Sequence, residues 1–185
     1  SSSKHVSEGK EKVVDAYSPA PVVTPAVHQR IMDEVILPTI AGMAAEGMPY
    51  TGFLYAGLMI DASGAPRVIE YNCRFGDPET QPIMMRLQSD LCALCNAALD
   101  GQLAEATASW DSRPAIGVVL AAGGYPNAYA KGLPISGLDG VEDALTKVFH
   151  AGTRNQDSQI VTNGGRVVCV TALGDTVTQA QANAY

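Results

Sequence analysis

The chain has 185 residues, enough for one well-cored domain or two small ones. Charged residues make up 17%, the net charge is −7 and the pI is near 4.8, which excludes a disordered chain and the basic stripe of a nucleic-acid binder. No apolar run is long enough to span a membrane and the polar start has no signal-peptide core, so no membrane partner and a cytoplasmic location are expected.

In chain order, residues 1–15 form a polar segment. Tyr17-Ser18-Pro19-Ala20-Pro21 reads as a rigid loop, because each proline pushes the residue before it to extended geometry. Thr24-Pro25 is a helix start, with Thr24 as N-cap and Pro25 in the first turn. Val27, Ile31 and Val35 continue the helix, Pro38 should kink or split it, and Gly47 ends it. Phe53 to Ile60 is apolar on both faces and reads as a buried strand. Residues 61–66 form a turn, and Arg67 to Asn72 return as the second strand of a hairpin.

Thr80 then opens a helix expected to run to about Asp100, with a buried stripe of Ile83, Leu87, Leu91, Leu94, Ala98 and Leu99 and a stop at Gly101. Residues 102–114 read as a linker held by Trp110. Beyond it come a strand over Ile116–Ala122, a glycine turn at Gly123-Gly124-Tyr125-Pro126, an extended piece at Pro134–Leu138 and a short strand from Val148. Asn163-Gly164-Gly165 carries the turn signal for a hairpin between Ile160–Thr162 and Arg166–Leu173, and Asp175 or Thr176 opens a last helix. Cysteines 73, 92, 95 and 169 do not make a disulfide framework in a chain this long. Cys92 and Cys95 lack the second pair that a zinc site needs, so buried free thiols are expected.

The chemistry concentrates in Val68 to Thr80. On a strand, Glu70, Asn72 and Arg74 share one face, and the turn after it adds Asp77 and Glu79. A carboxylate and an amide oxygen two residues apart suit a hard cation such as Mg²⁺, which completes its shell with water and phosphate oxygens. Glu70 and Asn72 alone suit a solvated edge strand equally well. The mixed-charge turn of Arg74, Asp77 and Glu79 favours the metal reading. His28 and His150 have no partner at a telling spacing and read as structural.

Ala16–Pro21, Tyr50–Met59, Glu70–Gln81, Gly117–Pro126, Val148–Thr153 and Val161–Gly174 together resemble the phosphoribosylamine–glycine ligases, also called glycinamide ribonucleotide synthetases. These are ATP-grasp enzymes of purine biosynthesis. The resemblance implies an α+β fold: the C-terminal part of an ATP-grasp domain, an antiparallel sheet with helices, over residues 16–110, then a small β-rich domain over 111–185. It implies ATP as co-substrate, Mg²⁺ or Mn²⁺ as cofactor, and glycine and 5-phosphoribosylamine as substrates. The reaction it implies runs through a glycyl phosphate.

By the family motif, Glu70 and Asn72 are metal ligands and Arg74 contacts the transferring phosphate. Asp77 and Glu79 hold the glycine ammonium or the amine and ribose of the second substrate, with Arg74 and Asp77 counted as catalytic; a structural salt bridge from either acid to Arg74 is the equal alternative. The adenine pocket and glycine-rich phosphate loop of the family are not in this sequence. The chain is therefore expected to be the C-terminal half of a longer enzyme, inactive without its N-terminal half. Two other readings stand beside this one: a biotin-carboxylase-type ATP-grasp enzyme, whose metal strand has a similar Glu-x-Asn pattern, and a non-catalytic assembly or binding fragment.

Overall fold

A computed structural model describes residues 14–185. Of the polar segment 1–15, residues 1–13 lie outside the described residues. Two compact units are present, and they are interleaved along the chain. One gathers β1 (Val14–Ser18), Asp77–Arg86 and Asp111–Tyr185; the other gathers Pro19–Gly76 and Leu87–Trp110.

The first unit is built on a four-stranded antiparallel sheet. Its strands are β1, β4 (Ala115–Ala121), β8 (Arg166–Leu173) and β5 (Thr146–His150), in the spatial order β1-β4-β8-β5. Helix α5 (Val177–Ala184) covers one face, with Ala180 and Ala184 packed on Ile116, Val118 and Ala172. Thr176 caps that helix, its hydroxyl accepting from the Gln179 amide at 3.1 Å. On the other face, helix α3 (Thr80–Arg86) sets Pro82 against Gly117, where a Cβ would lie 3.2 Å from the proline ring and 3.0 Å from Cys169 Sγ. Both central strands are therefore near-continuous apolar runs, as a sheet covered on both faces requires.

The second unit holds a helical stretch and a two-stranded ribbon. Helix α1 (Pro25–Ile31) starts at the Thr24 cap, passes into a π turn at Met32–Ile36 and continues as α2 (Leu37–Ala45). The π turn is how the chain absorbs Pro38, which has no N–H to give and would crowd the carbonyl four residues back. The Leu37 amide instead reaches back to the Met32 carbonyl, and Thr39 Oγ1 donates to the Val35 carbonyl at 2.6 Å. Strands β2 (Tyr55–Ile60) and β3 (Pro66–Asn72) form the expected hairpin. Asp61 Oδ1 ties its turn, accepting from the Ser63 and Ala65 amides at 2.9 and 3.1 Å. Tyr71 hydroxyl meets Thr39 Oγ1 at 2.8 Å, joining ribbon to helix.

Six expectations need correction. Tyr17 and Ser18 belong to strand β1 and pair with Ile116 and Ala115, a long-range match that local proline chemistry does not reveal. Strand β2 is half-buried rather than buried, and Met59 is 61% exposed. The helix from Thr80 does not reach Asp100. It breaks after Arg86, where Leu87 bridges to Trp110, and α4 (Leu91–Leu99) restarts under an Asp90 cap that accepts from the Cys92 and Ala93 amides. The expected buried stripe fails with it: α4 buries no residue and Leu99 is exposed.

Asn163-Gly164 is not a hairpin turn. Strand β7 (Gln159–Thr162) pairs with β6 (Thr153–Gln156), and the two-residue turn between them is Asp157-Ser158, both at positive φ. Strand β8 is already paired on both edges, by β4 and β5, and has no edge left for β7. Of the four free cysteines, finally, only Cys169 is buried.

Candidate metal and substrate site

The structure places the five residues singled out by the sequence in both units: Glu70, Asn72 and Arg74 in one, Asp77 and Glu79 in the other.

Glu70 and Asn72 sit at the end of β3 with their heads together, Asn72 Nδ2 donating to Glu70 Oε1 at 3.2 Å. The strand period puts them on one face, and the ribbon register puts Gly57 opposite Glu70. A Cβ at Gly57 would lie 2.9 Å from Glu70 Cγ, so the missing side chain makes room for the carboxylate stem. Among the described residues Glu70 has no salt bridge, and no cluster of three or more His, Cys, Asp or Glu side chains is arranged to hold a metal. One carboxylate and one amide carbonyl are an oxygen donor set that fits Mg²⁺ or Mn²⁺ with the rest of the shell left to water and phosphate. Asp61, the nearest acid in sequence to the end of β2, is committed to its turn. Hydrogen bonds from Ser63 and Ala65 hold its carboxyl below the usual range.

Arg74 is exposed and donates through Nη1 to the Phe75 carbonyl at 2.7 Å. Phe75 in turn stacks on Phe53, ring centroids 4.1 Å apart. The guanidinium thus lies back along its own loop.

Asp77 is held by a residue that sequence reasoning missed. Arg166, at the start of β8, donates through Nη1 to the Asp77 carbonyl at 2.8 Å and lies 3.2 Å from Asp77 Oδ2. Burial pulls the Arg166 guanidinium down, but its hydrogen bond with Tyr125 and the charges of Asp77 and Glu79 more than offset this and leave it raised. Of the two histidines expected to be structural, His28 is exposed on α1 and His150 Nδ1 meets Thr153 Oγ1 at 3.0 Å.

A family model described as phosphoribosylglycinamide synthetase, ATP-grasp (A) domain, matches residues 4–80, and one described as phosphoribosylglycinamide synthetase, C domain, matches residues 115–185. The chain belongs to the phosphoribosylglycinamide synthetase family. The match starts at residue 4, ahead of Ala16, where the resemblance read from the sequence begins. A phosphoribosylamine–glycine ligase of Vibrio cholerae serotype O1 is 71% identical over 170 residues, covering 92% of this chain and 40% of the relative. One from Allochromatium vinosum is 66% identical over the same length, with the same coverage. A crystal structure of phosphoribosylamine–glycine ligase from Thermotoga maritima superposes with a TM-score of 0.75 at 34% identity, covering 92% of this chain and 41% of that one. The chain therefore spans about two fifths of the length of these phosphoribosylglycinamide synthetase relatives. The fold class expected from the sequence holds: mixed helix and antiparallel sheet, ending in the C domain of this family. Among the described residues no helix is long and apolar enough to cross a membrane.

Proposed function

We propose that this chain carries the metal-and-phosphate edge of a cytoplasmic, ATP-dependent ligase that joins glycine to 5-phosphoribosylamine in purine biosynthesis. The observation that carries the reading is its high identity, across both matched domains, to proteins of that name. Glu70 and Asn72 would hold Mg²⁺ or Mn²⁺. The ion, when bound, neutralises charge on phosphate oxygens during phosphoryl transfer. Arg74 presents its guanidinium to the transferring phosphate, for which a planar fork of donors is suited. Asp77 and Glu79 supply anionic acceptors for the glycine ammonium or for the amine and ribose of phosphoribosylamine. The amine attacks the carbonyl of glycyl phosphate, a carbon–nitrogen bond forms, and phosphate leaves with the acyl oxygen.

The division into residues 16–110, the last part of an ATP-grasp domain, and 111–185, a small β-rich domain, is part of the same proposal. So is the need for a separate N-terminal part, which in this family brings the adenine pocket. Two assays test it. The chain alone, supplied with ATP, Mg²⁺, glycine and phosphoribosylamine, should turn over at background rate. Grafted in place of the matching segment of the Vibrio cholerae ligase, it should restore activity that Glu70→Ala abolishes. Full activity of the graft with alanine at position 70 would refute the metal assignment.

A further inference from the structure

We infer that Arg166 is a positioning residue of the ligase site: from the head of β8 it fixes the loop that presents Asp77 and Glu79 to an amine-bearing substrate. This deepens the proposed function and rests on it. Arg166 Nη1 holds both the backbone carbonyl and the carboxylate of Asp77, at 2.8 and 3.2 Å, so the side chain and the main chain of one residue are fixed by a single donor. A residue held at both points has little freedom to turn its carboxylate away, which is what orientation of a reacting amine demands.

The anchor is stiff because of where it stands. Strand β8 is paired on both edges, and Val167, Val168 and Cys169 after Arg166 are all buried. Behind it, the Tyr125 ring lies against Gly165, where a Cβ would come within 2.5 Å of ring carbon Cε2. Gly165 therefore admits the ring, and Tyr125 interacts with the same guanidinium and raises it. Glu79 adds its charge to Arg166 from two residues beyond Asp77. Arg166 is about one-third exposed, so the cluster also opens to solvent and to a ligand.

The test uses the grafted ligase. Arg166→Met should raise KM for glycine or for phosphoribosylamine by about tenfold to a hundredfold, with KM for ATP unchanged within twofold. Arg166→Lys keeps a charge without the fork and should recover part of the loss. Tyr125→Phe keeps the ring over Gly165 and should give a smaller rise in the same KM. A merely structural role would lower the active fraction and leave each KM alone. Unchanged KM values in both Arg166 variants, in a graft that Glu70→Ala does inactivate, would overturn the inference and leave the proposed function standing. A graft indifferent to Glu70→Ala would overturn both.

Discussion

Gly174→Ala tests how α5 is joined to the sheet. Gly174 turns the chain from β8 into α5, donating its amide to the Pro114 carbonyl at 3.1 Å. A Cβ there would strike the Ala180 amide nitrogen, and would lie 2.7 Å from the Gln179 carbonyl carbon and 2.8 Å from Ala180 Cα. All three atoms are helix backbone, which has no rotamer to give, so α5 must retreat by the better part of an ångström. It cannot retreat freely. The Asn183 amide holds the Leu173 carbonyl at 2.9 Å, and Ala180 and Ala184 are buried against the sheet. Overpacking of this kind costs about 1–3 kcal/mol, and a rigid partner argues for the upper end, about 3 kcal/mol. For a chain of this size each kcal/mol moves Tm by roughly 2–4 °C, so the variant should melt about 6–12 °C lower. Gly42→Ala is the control: it lies inside α2 with nothing within 4 Å of its Cβ position, and should stabilise by about 0.5–1 kcal/mol. Thermal melts followed by circular dichroism read both. A Gly174→Ala melt within a degree of the wild type, or a destabilised Gly42→Ala, would refute the reasoning.

Asp90→Ala removes the acceptor for the Cys92 and Ala93 amides at the head of α4, and should cost about 1 kcal/mol. Hydrogen exchange should show those two amides losing protection first, and unaltered protection would count against the cap. Thiol labelling at pH 8 should modify exposed Cys73 and Cys92 quickly. Cys169, 1% exposed and pushed up to about 11 by burial, should stay silent until the chain unfolds. Four equivalents reacting at one rate would contradict that packing. Asp111 is drawn down to about 2 by hydrogen bonds from the Arg113 side chain and amide. Its folded value is below its unfolded one, so its contribution is full above about pH 4 and is lost as pH falls through about 2. Urea midpoints at pH 6 and pH 2.5 should therefore fall less in Asp111→Asn than in the wild type, and parallel losses would sink the assignment.

What was legible in the sequence was local chemistry. Thr24 with Pro25, the Asp61 turn and the Thr176 cap all act within a few residues, and each fold element they start is where it was expected. Period two along β3 put Glu70 and Asn72 on one face, which the 3.2 Å approach of their heads reflects. The failures share a cause. Val14–Ser18 became a strand because β4, about a hundred residues later, offered an edge. The apolar stripe from Ile83 to Leu99 has helical spacing throughout, yet Leu87 bridges to Trp110 and Asp90 restarts the helix. Asn163-Gly164 has a genuine turn composition but serves to bring Gly152 and Gly164 backbones together: the Asn163 and Gly164 amides both reach the Gly152 carbonyl, at 2.7 and 3.0 Å. In each case tertiary pairing overrode a local preference.

Arg166 shows where a sharper reading of the sequence was possible. Its partner lies 89 residues away, and no motif spacing links the two. The signal was the strand itself. Arg166-Val167-Val168-Cys169-Val170-Thr171-Ala172-Leu173 has no alternation, so it belongs to a sheet covered on both faces. Charged residues are rarely buried without a partner, and an arginine at the head of such a strand calls for an acid brought from elsewhere in the chain. Asp77 and Glu79 stand in one short turn, on either side of Pro78. Matching an unexplained cation on a covered strand to an unexplained anion in a constrained loop would have joined them. Arg74, three residues before Asp77, turns instead to the Phe75 carbonyl at 2.7 Å, while the Asp77 carboxylate lies 3.2 Å from Arg166 Nη1, at the head of the covered strand.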